Sequence, residues 1–546
     1  MDADTAVAGA AAPETEQPVA PASVIAPRHG DHVAAAVDTT PFETPFDYLF
    51  EDLADDFPAK HLPATDPATV VEKLRALGRA MVDADPGAPS ANIPAVYTYW
   101  GQFVDHDLTA NTDRNNDVND IRLNPQPLPP STVRDDLRNL RQPALNLDSL
   151  YGPGSVRDGD IKMKVGTVAQ TRSDGSPLPG VKIPPLGDQA RDLPRQNKAA
   201  QLGDPRNDEN LIVAQLHTAF LKFHNVAADW VAERHPDWRR KSVWVRAKRL
   251  TQWHYQWLTV NDFLREITLP GVVDSVLLGE RQHRLRRNGE VFMPLEFSIA
   301  AFRFGHTMVR GAYDFNRNFG VGAEVLPIAN FNLLFTFTGG GANPFNGETD
   351  VLPFNWVIEW DRMTNHASTN PGHFARKIDT RLVGPLHDMI NQGLPADIPG
   401  GAPNPDRIRE LLKDLAMRNL VRSYVLAMPT GQAVAEAMGV APLTHDELTS
   451  GDPGMAQALT DGGFLDATPL WFYVLKEAEV HANGNTLGEV GSRIVAETII
   501  GQLHEDPNSY VNHDWTPAEG VRMTEDHDGH HLVVTISDFL RVAGVL

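Results

Sequence analysis

Tyr97-Thr-Tyr-Trp-Gly-Gln-Phe-Val-Asp-His-Asp-Leu-Thr-Ala-Asn111 is the stretch that decides how the rest of the chain is read. It opens aromatic and apolar, then delivers Gln102, Asp105, His106 and Asp107 within two helical turns. Phe103, Val104 and Leu108 seat such a helix against a core. Gln102 and His106 are four apart, so a helix puts them on one face. Asp105 and Asp107 flank that face. An imidazole between two carboxylates on a buried helix is costly unless something uses it. The plainer alternative is a satisfied core histidine with two solvated aspartates, and the stretch alone leaves both open.

Working outward, the chain has 546 residues and 42% hydrophobic content, enough for a large core. A net charge of -23 and a pI near 5.2 argue against nucleic acid or an anionic membrane surface as main partner. The absence of cysteine excludes disulfides, thiolate nucleophiles, iron–sulfur clusters and thiolate-ligated haem, and it suits a site that handles strong oxidants. No apolar run approaches the ~20 residues of a membrane span. No basic segment followed by an apolar one opens the chain, so a standard signal peptide is not expected. The expected location is cytoplasmic, or secreted by a non-standard route.

Residues 1–40 are rich in Ala and Pro and read as a disordered tail, with structure beginning near Pro41. Helical periodicity covers 66–83, Asn207–Glu233, Ser242–Phe263, Leu295–Val309, Pro405–Tyr424, Gln432–Met438 and Leu487–Leu503, so the fold is expected to be mainly α. Residues 112–190 are rich in Pro, Gly, Asp and Asn and read as a long connection with short strands, including Ile161–Gln170. There is no internal repeat, no Gly-rich phosphate loop and no tight zinc spacing. His217 and His224 are seven apart and can share a helix face, with a structural role favoured for His224. The run Glu525–His531 reads as a solvated loop, an adventitious metal site being the alternative.

Three further segments carry candidate chemistry. In Gly203-Asp-Pro-Arg-Asn-Asp-Glu209, Pro205 and its polar neighbours mark a turn into a helix. Arg206 and Glu209 there read, taken alone, as an exposed capping pair. In Phe297–Arg310, small and apolar residues surround Arg303 and His306, and Gly305 leaves room for a flat ligand to approach. Arg418-Asn-Leu-Val-Arg422 places an amide between two guanidiniums near the end of an amphipathic helix.

These segments, in this order, resemble the peroxidase–cyclooxygenase superfamily of animal-type haem peroxidases, and in particular its bacterial members. Trp-Gly-Gln-x-x-Asp-His-Asp is similar to the family's distal haem helix, Asp204-x-Arg206-x-x-Glu209 to its distal arginine and carboxylate, and Arg303-x-Gly-His306 to its proximal helix. Leu145–Gly152 is similar to its calcium loop, and Trp471–Glu479 and Gly488–Glu497 to its C-terminal helices. The likeness runs from about residue 40 to the C-terminus and implies one large helical catalytic domain over 41–546.

The resemblance implies haem b with His306 as axial iron ligand and Asn419 accepting its other ring N–H. It makes His106 the general base toward hydrogen peroxide, Arg206 the cation that stabilises developing charge, and Gln102 a holder of water or halide. Asp105 and Glu209 stand where relatives form ester bonds to haem methyl groups. Arg303 and Arg422 would pair with propionates or neighbouring carboxylates. Asn210 stands where one branch has a methionine, so a sulfonium link is not available.

Calcium is implied at Asp107, Gln142, the Ala144 carbonyl, Asn146 and Asp148, all oxygen donors. The implied function is a peroxidase that oxidises halides, thiocyanate, phenols or similar small donors through an oxoferryl intermediate. Rival readings are a fatty-acid dioxygenase of the same superfamily and a non-catalytic adhesion scaffold. The dioxygenase needs a tyrosine three residues before the proximal histidine, where this chain has Arg303. The scaffold reading predicts erosion of a catalytic set that is intact here.

Overall fold

The computed structural model describes residues 44–546, apart from 84–89, 114–124, 179–186, 321–328, 341–344, 346–348, 399, 403 and 528. The tail read over 1–40 lies outside the described residues. Helix α1 (Pro67–Ala80) begins where the Asp66 carboxylate accepts the Thr69 amide at 3.3 Å, with Pro67 in the first turn. Val70, Val71, Leu74 and Leu77 give it one buried face.

Helix α2 (Val96–Leu108) is buried on nearly every side. Phe103 stacks on Phe220 of α3 (Leu211–Arg234) with ring centroids 4.4 Å apart. Trp100 leans on Phe220 and on Tyr255 of α4 (Arg240–Leu258). Phe539, from the C-terminal helix Ile536–Val542, closes this aromatic cluster against Phe220 and Phe223. Aromatic pairs of this kind add ~0.5–1.5 kcal/mol each beyond area burial, so α2 is held rigidly where its polar residues emerge.

Two expected helices turn out differently. Leu295–Val309 is not one α-helix. A π turn (Glu296–Ala300) runs into a 3₁₀ helix (Ala301–His306), because Ala300 leaves helical geometry at φ -125°, ψ -78°. Arg303 Nε folds back to the Ser298 carbonyl at 3.0 Å, satisfying a group that the regular ladder would use. In a 3₁₀ turn residues three apart eclipse, which stacks Arg303 and His306 along one line. Pro405–Tyr424 likewise splits at Asp414, whose carboxylate accepts the Met417 amide at 2.8 Å and starts α5 (Leu415–Val425) afresh.

The C-terminal pair is α6 (Leu470–Ala482) and α7 (Glu489–Glu505). Buried Glu477 of α6 accepts the Val490 and Gly491 amides, capping α7 from a neighbouring helix. Strands are few. The largest sheet orders Met293–Pro294, Thr44–Asp47, Leu137–Asn139 and Asn111–Asp113, with Phe46 opposite Met293 and Thr44 opposite Asn139. The strand expected over Ile161–Gln170 shrinks to Lys162–Met163, paired with Arg157–Asp158. One continuous apolar core runs from Phe46 to Ala543, and the fold is mainly α. Among the described residues no helix is long and apolar enough to cross a membrane.

Candidate functional site

A cavity of about 1210 Å³, its mouth included, opens between α2, the 3₁₀ turn before α3 and the Ala301–His306 turn. Gln102, Asp105, His106, Arg206, Glu209, Arg303, His306 and Arg422 all line it. Residues from four separate segments thus meet at one surface.

Asp204 organises one wall. It caps the Pro205–Asp208 turn by accepting the Arg206 amide at 2.9 Å. It also takes Arg206 Nη2 at 2.7 Å and the Arg141 guanidinium. Burial would push the Asp204 carboxyl up, but the charges of Arg141 and Arg206 hold it well below the usual carboxylate range. Arg206 Nη2 and Arg141 Nε both donate to the His106 carbonyl, at 2.8 and 3.1 Å. Arg206 is therefore fixed through Nε and Nη2, and Nη1 has no hydrogen bond among the described residues.

His106 is 1% exposed, and its Nδ1 lies 2.7 Å from Asn207 Oδ1. The amide oxygen assigns the proton to Nδ1, so Nε2 carries the lone pair. Asn207 is turned this way because its Nδ2 donates to Nδ1 of buried His217 at 3.0 Å. Burial, with the charge of Arg206 second, lowers His106 to about 4, against the opposing pull of Asp204, Asp105 and Glu209. Burial lowers His217 to about 3. Asn207 and His217 were not singled out as site residues from sequence. The only available signal was an amide directly after Arg206 and a histidine ten residues on.

Gln102 is held at both ends. Its Nε2 donates to Glu209 Oε2 at 2.9 Å, and its Oε1 accepts from Asn210 Nδ2 at 3.0 Å. Asn210 Oδ1 in turn caps α3 through the Ile212 and Val213 amides. Asp105 Oδ1 accepts from Thr109 Oγ1 at 3.0 Å.

On the other segment, Asn419 of α5 reaches His306 Nδ1 with Nδ2 at 2.8 Å, while Asn419 Oδ1 takes a long 3.4 Å contact from Arg303 Nη1. The expected arrangement has the amide oxygen accepting Nδ1–H, which is a half-turn of an isosteric amide away. That half-turn would put the ring proton on Nδ1 and leave the Nε2 lone pair free. Burial lowers the Arg303 guanidinium, with Asp105 opposing. Arg303 makes no ion pair among the described residues.

These features fit a flat dianionic macrocycle with a central metal. His306 supplies an imidazole. A Cβ built at Gly305 would meet nothing within 4 Å, so the face beside it is open. Arg303 and Arg422 bring positive charge to the same lining, and Asp105 and Glu209 bring carboxylates.

The second region lies behind α2. Asp107 is fully buried, and its Oδ2 accepts the Leu147 amide at 3.0 Å. Its Oδ1 has no hydrogen-bond partner among the described residues, although the Tyr255 hydroxyl stands close by. Burial, then the charge of Asp148, raises Asp107 to about 7. A buried carboxylate beside a second carboxylate, with no cationic side chain hydrogen-bonded to it among the described residues, fits a hard cation. The loop around it is strained, with Leu145 and Leu147 in left-handed backbone at φ 46° and 59°. Gln256 Nε2 pins the Ala144 and Leu145 carbonyls, and Gln252 Nε2 the Asn146 carbonyl. Gln142 and Asn146 are turned to each other at 3.1 Å, and Asn146 Oδ1 accepts the Asp148 amide. At Gly203 a Cβ would sit 2.3 Å from the Asp148 carbonyl, so only glycine lets this loop dock on the turn that carries Arg206.

Residues 147–333 match the family model for animal haem peroxidase. Among curated proteins, peroxinectin A of Dictyostelium discoideum is 25% identical over 355 residues, covering 64% of this chain and 56% of that protein. A peroxidase-like protein of Margaritifera margaritifera is 26% identical over 216 residues, covering 36% of this chain and 24% of that protein. The chain thus spans about half, or less, of the length of these relatives. Among solved structures, peroxidase A from Dictyostelium discoideum superposes with a TM-score of 0.52 at 18% identity, over 87% of this chain and 91% of that one. Fatty acid alpha-dioxygenase from Oryza sativa gives 0.53 at 13% identity, over 87% and 77%. At such identities the two structures speak to the fold alone. The family match lies across the Arg206 and His306 segments, so the part of the chain that carries this cavity is similar to the animal haem peroxidases.

Proposed function

We propose that the protein is a haem peroxidase, an oxidoreductase that reduces hydrogen peroxide and oxidises a small electron donor such as a halide, thiocyanate or a phenol. One observation carries this reading. His106, with Nδ1 occupied by Asn207 and Nε2 left basic, lines the same cavity as Arg206 and His306. When bound, haem b would supply the redox centre at which the peroxide O–O bond is cleaved. His306 would hold its iron, Arg303 and Arg422 its propionates, and Asp105 and Glu209 would form ester links to its methyl groups.

The protein's own part is proton and charge handling. His106 Nε2 takes a proton from peroxide and passes it to the departing oxygen, which leaves as water. Arg206, its other nitrogens tied to Asp204 and to the His106 carbonyl, offers Nη1 to the negative charge built as that bond breaks. Gln102, fixed by Glu209 and Asn210, holds a water or small anion beside His106. Aromatic walls from Phe302, Phe304, Phe331 and Phe335 exclude bulk water and strengthen these electrostatic effects. Asp107 and Asp148, with the Ala144 carbonyl, would hold a calcium ion, the second lone pair of that carbonyl remaining available after Gln256.

Arg303 argues against the fatty-acid dioxygenase, which needs a radical-forming tyrosine at that position. The test is a paired assay on haem-loaded protein. Peroxide with a phenol should give turnover, and oxygen uptake with linoleate should be negligible even after peroxide priming. Enantioselective fatty-acid hydroperoxide formation would overturn the peroxidase assignment.

A further inference from the structure

Tyr97 and Tyr99 are the two tyrosines that line the cavity among the described residues, and they are equipped differently. The buried Tyr99 hydroxyl stands beside another phenol, that of Tyr313. The Tyr97 hydroxyl donates to Asp262 Oδ1 at 2.7 Å. The other Asp262 oxygen accepts the Ile536 amide at 2.6 Å, which fixes the carboxylate in place. On its outer side the Tyr97 ring packs edge-on against His366, centroids 6.0 Å apart. The His366 side chain is 54% exposed and lies beside Glu266. A phenol is thus placed with one side on the cavity, its O–H directed at a carboxylate, and a half-exposed imidazole against its ring.

Burial pushes the Tyr97 phenol well above its usual value, so it does not ionise on its own. Its electron can leave easily only if its proton leaves too. Burial also raises Asp262 to about 6, which makes it a stronger proton acceptor than an ordinary carboxylate. We propose that Tyr97 is a redox-active tyrosine which passes oxidising equivalents from the cavity to the surface at His366, serving donors too large to enter.

The step balances as follows. The phenolic O–H bond breaks, its proton goes to Asp262 Oδ1, and its electron goes to the peroxide-oxidised haem, which is reduced by one electron. The resulting neutral tyrosyl radical takes one electron from a phenolic donor at the surface, which gives its own proton to water and leaves as a phenoxyl radical, while Asp262 returns the first proton to Tyr97. This inference rests on the peroxidase reading, since peroxide is the source of the oxidant.

Full-length, haem-loaded protein is mixed with hydrogen peroxide, followed optically, and frozen for electron paramagnetic resonance. Wild-type protein should give a tyrosyl signal that narrows on ring-deuterated tyrosine labelling. The signal should be lost in Tyr97→Phe and weakened in Asp262→Asn, which keeps the shape and removes the base. Circular dichroism and thermal melting check that both variants fold. A signal that survives in Tyr97→Phe overturns the inference, and so does a wild type that reacts with peroxide optically without forming a tyrosyl radical. A wild type with no optical response to peroxide overturns the peroxidase reading and this inference together.

Discussion

Replacing Asn207 by Ala tests how His106, the proposed base, is prepared. Asn207 holds His106 Nδ1 at 2.7 Å and is itself held by His217 at 3.0 Å. Its loss leaves the His106 ring N–H unsatisfied in a site that is 1% exposed. An unsatisfied buried donor costs ~1–3 kcal/mol, and ~1.4 kcal/mol is tenfold in an equilibrium. The tautomer with its lone pair on Nε2 therefore loses a preference of roughly 5- to 150-fold. Outright removal of a general base costs ~10²–10⁴-fold, which sets the ceiling. Asn207→Ala should slow the first optical change after peroxide mixing by roughly 5- to 100-fold in stopped flow.

Asn207→Asp separates positioning from mere packing. A carboxylate still accepts the Nδ1 proton, so much of the rate at neutral pH should return. Its negative charge favours protonated His106, so the acid limb of the rate profile should move up from about 4. A purely structural asparagine would not move that limb. Wild-type kinetics in Asn207→Ala, or an unmoved acid limb in Asn207→Asp, would refute the tautomer-fixing role.

In the unmodified protein, His106 is neutral above about 4, so the peroxide reaction should hold level as pH falls from neutrality and drop through that value; a midpoint near the ordinary histidine value would contradict it. His306→Ala should lose haem or its axial bond, and an unchanged Soret spectrum would exclude that residue as ligand. After peroxide treatment, denaturing mass spectrometry should show protein plus haem, and Asp105→Asn with Glu209→Gln should release haem to acidic solvent; haem freely extracted from peroxide-treated wild type would refute the ester links. Calcium at ~100 times its dissociation constant should stabilise the fold by ~2.7 kcal/mol, read as a rise in melting temperature that Asp107→Asn abolishes; identical melting with calcium and with chelator would refute the site.

Local patterns carried much of this in the sequence. Gln102 and His106 share a face because the helical period puts them there, and the aromatic half of the same helix announces its burial. Pro205 and Asp204 announce the turn that presents Arg206. What was hidden depends on contacts between segments. Nothing local tells that Asn207 faces His106 rather than solvent, since that follows from how α3 carries His217 under it. The apolar periodicity of Leu295–Val309 suits a helix, but it cannot show that Ala300 breaks the ladder and tightens the His306 turn to 3₁₀. Gln252 and Gln256 look like solvated positions of an amphipathic helix until the Ala144–Asn146 carbonyls are found beneath them.

The end of α2 ties these parts together. A helix leaves its last carbonyls without intrahelical partners, and its C-terminus carries partial negative charge. Here the Asp105 carbonyl is closed by the Thr109 amide at 2.8 Å, and the Leu108 carbonyl by Asn139 Nδ2 at 2.8 Å. The His106 carbonyl is taken by the guanidiniums of Arg206 and Arg141, which also share Asp204. The base and the cation are thus bonded to each other through the base's own backbone. A shift of α2 that moved the imidazole would carry Arg206 with it, keeping their spacing. If α2 ran on past Leu108, the His106 carbonyl would be spent on an intrahelical bond and Arg206 would lose that anchor. The helix stops where its unsatisfied end holds His106 and Arg206 in register.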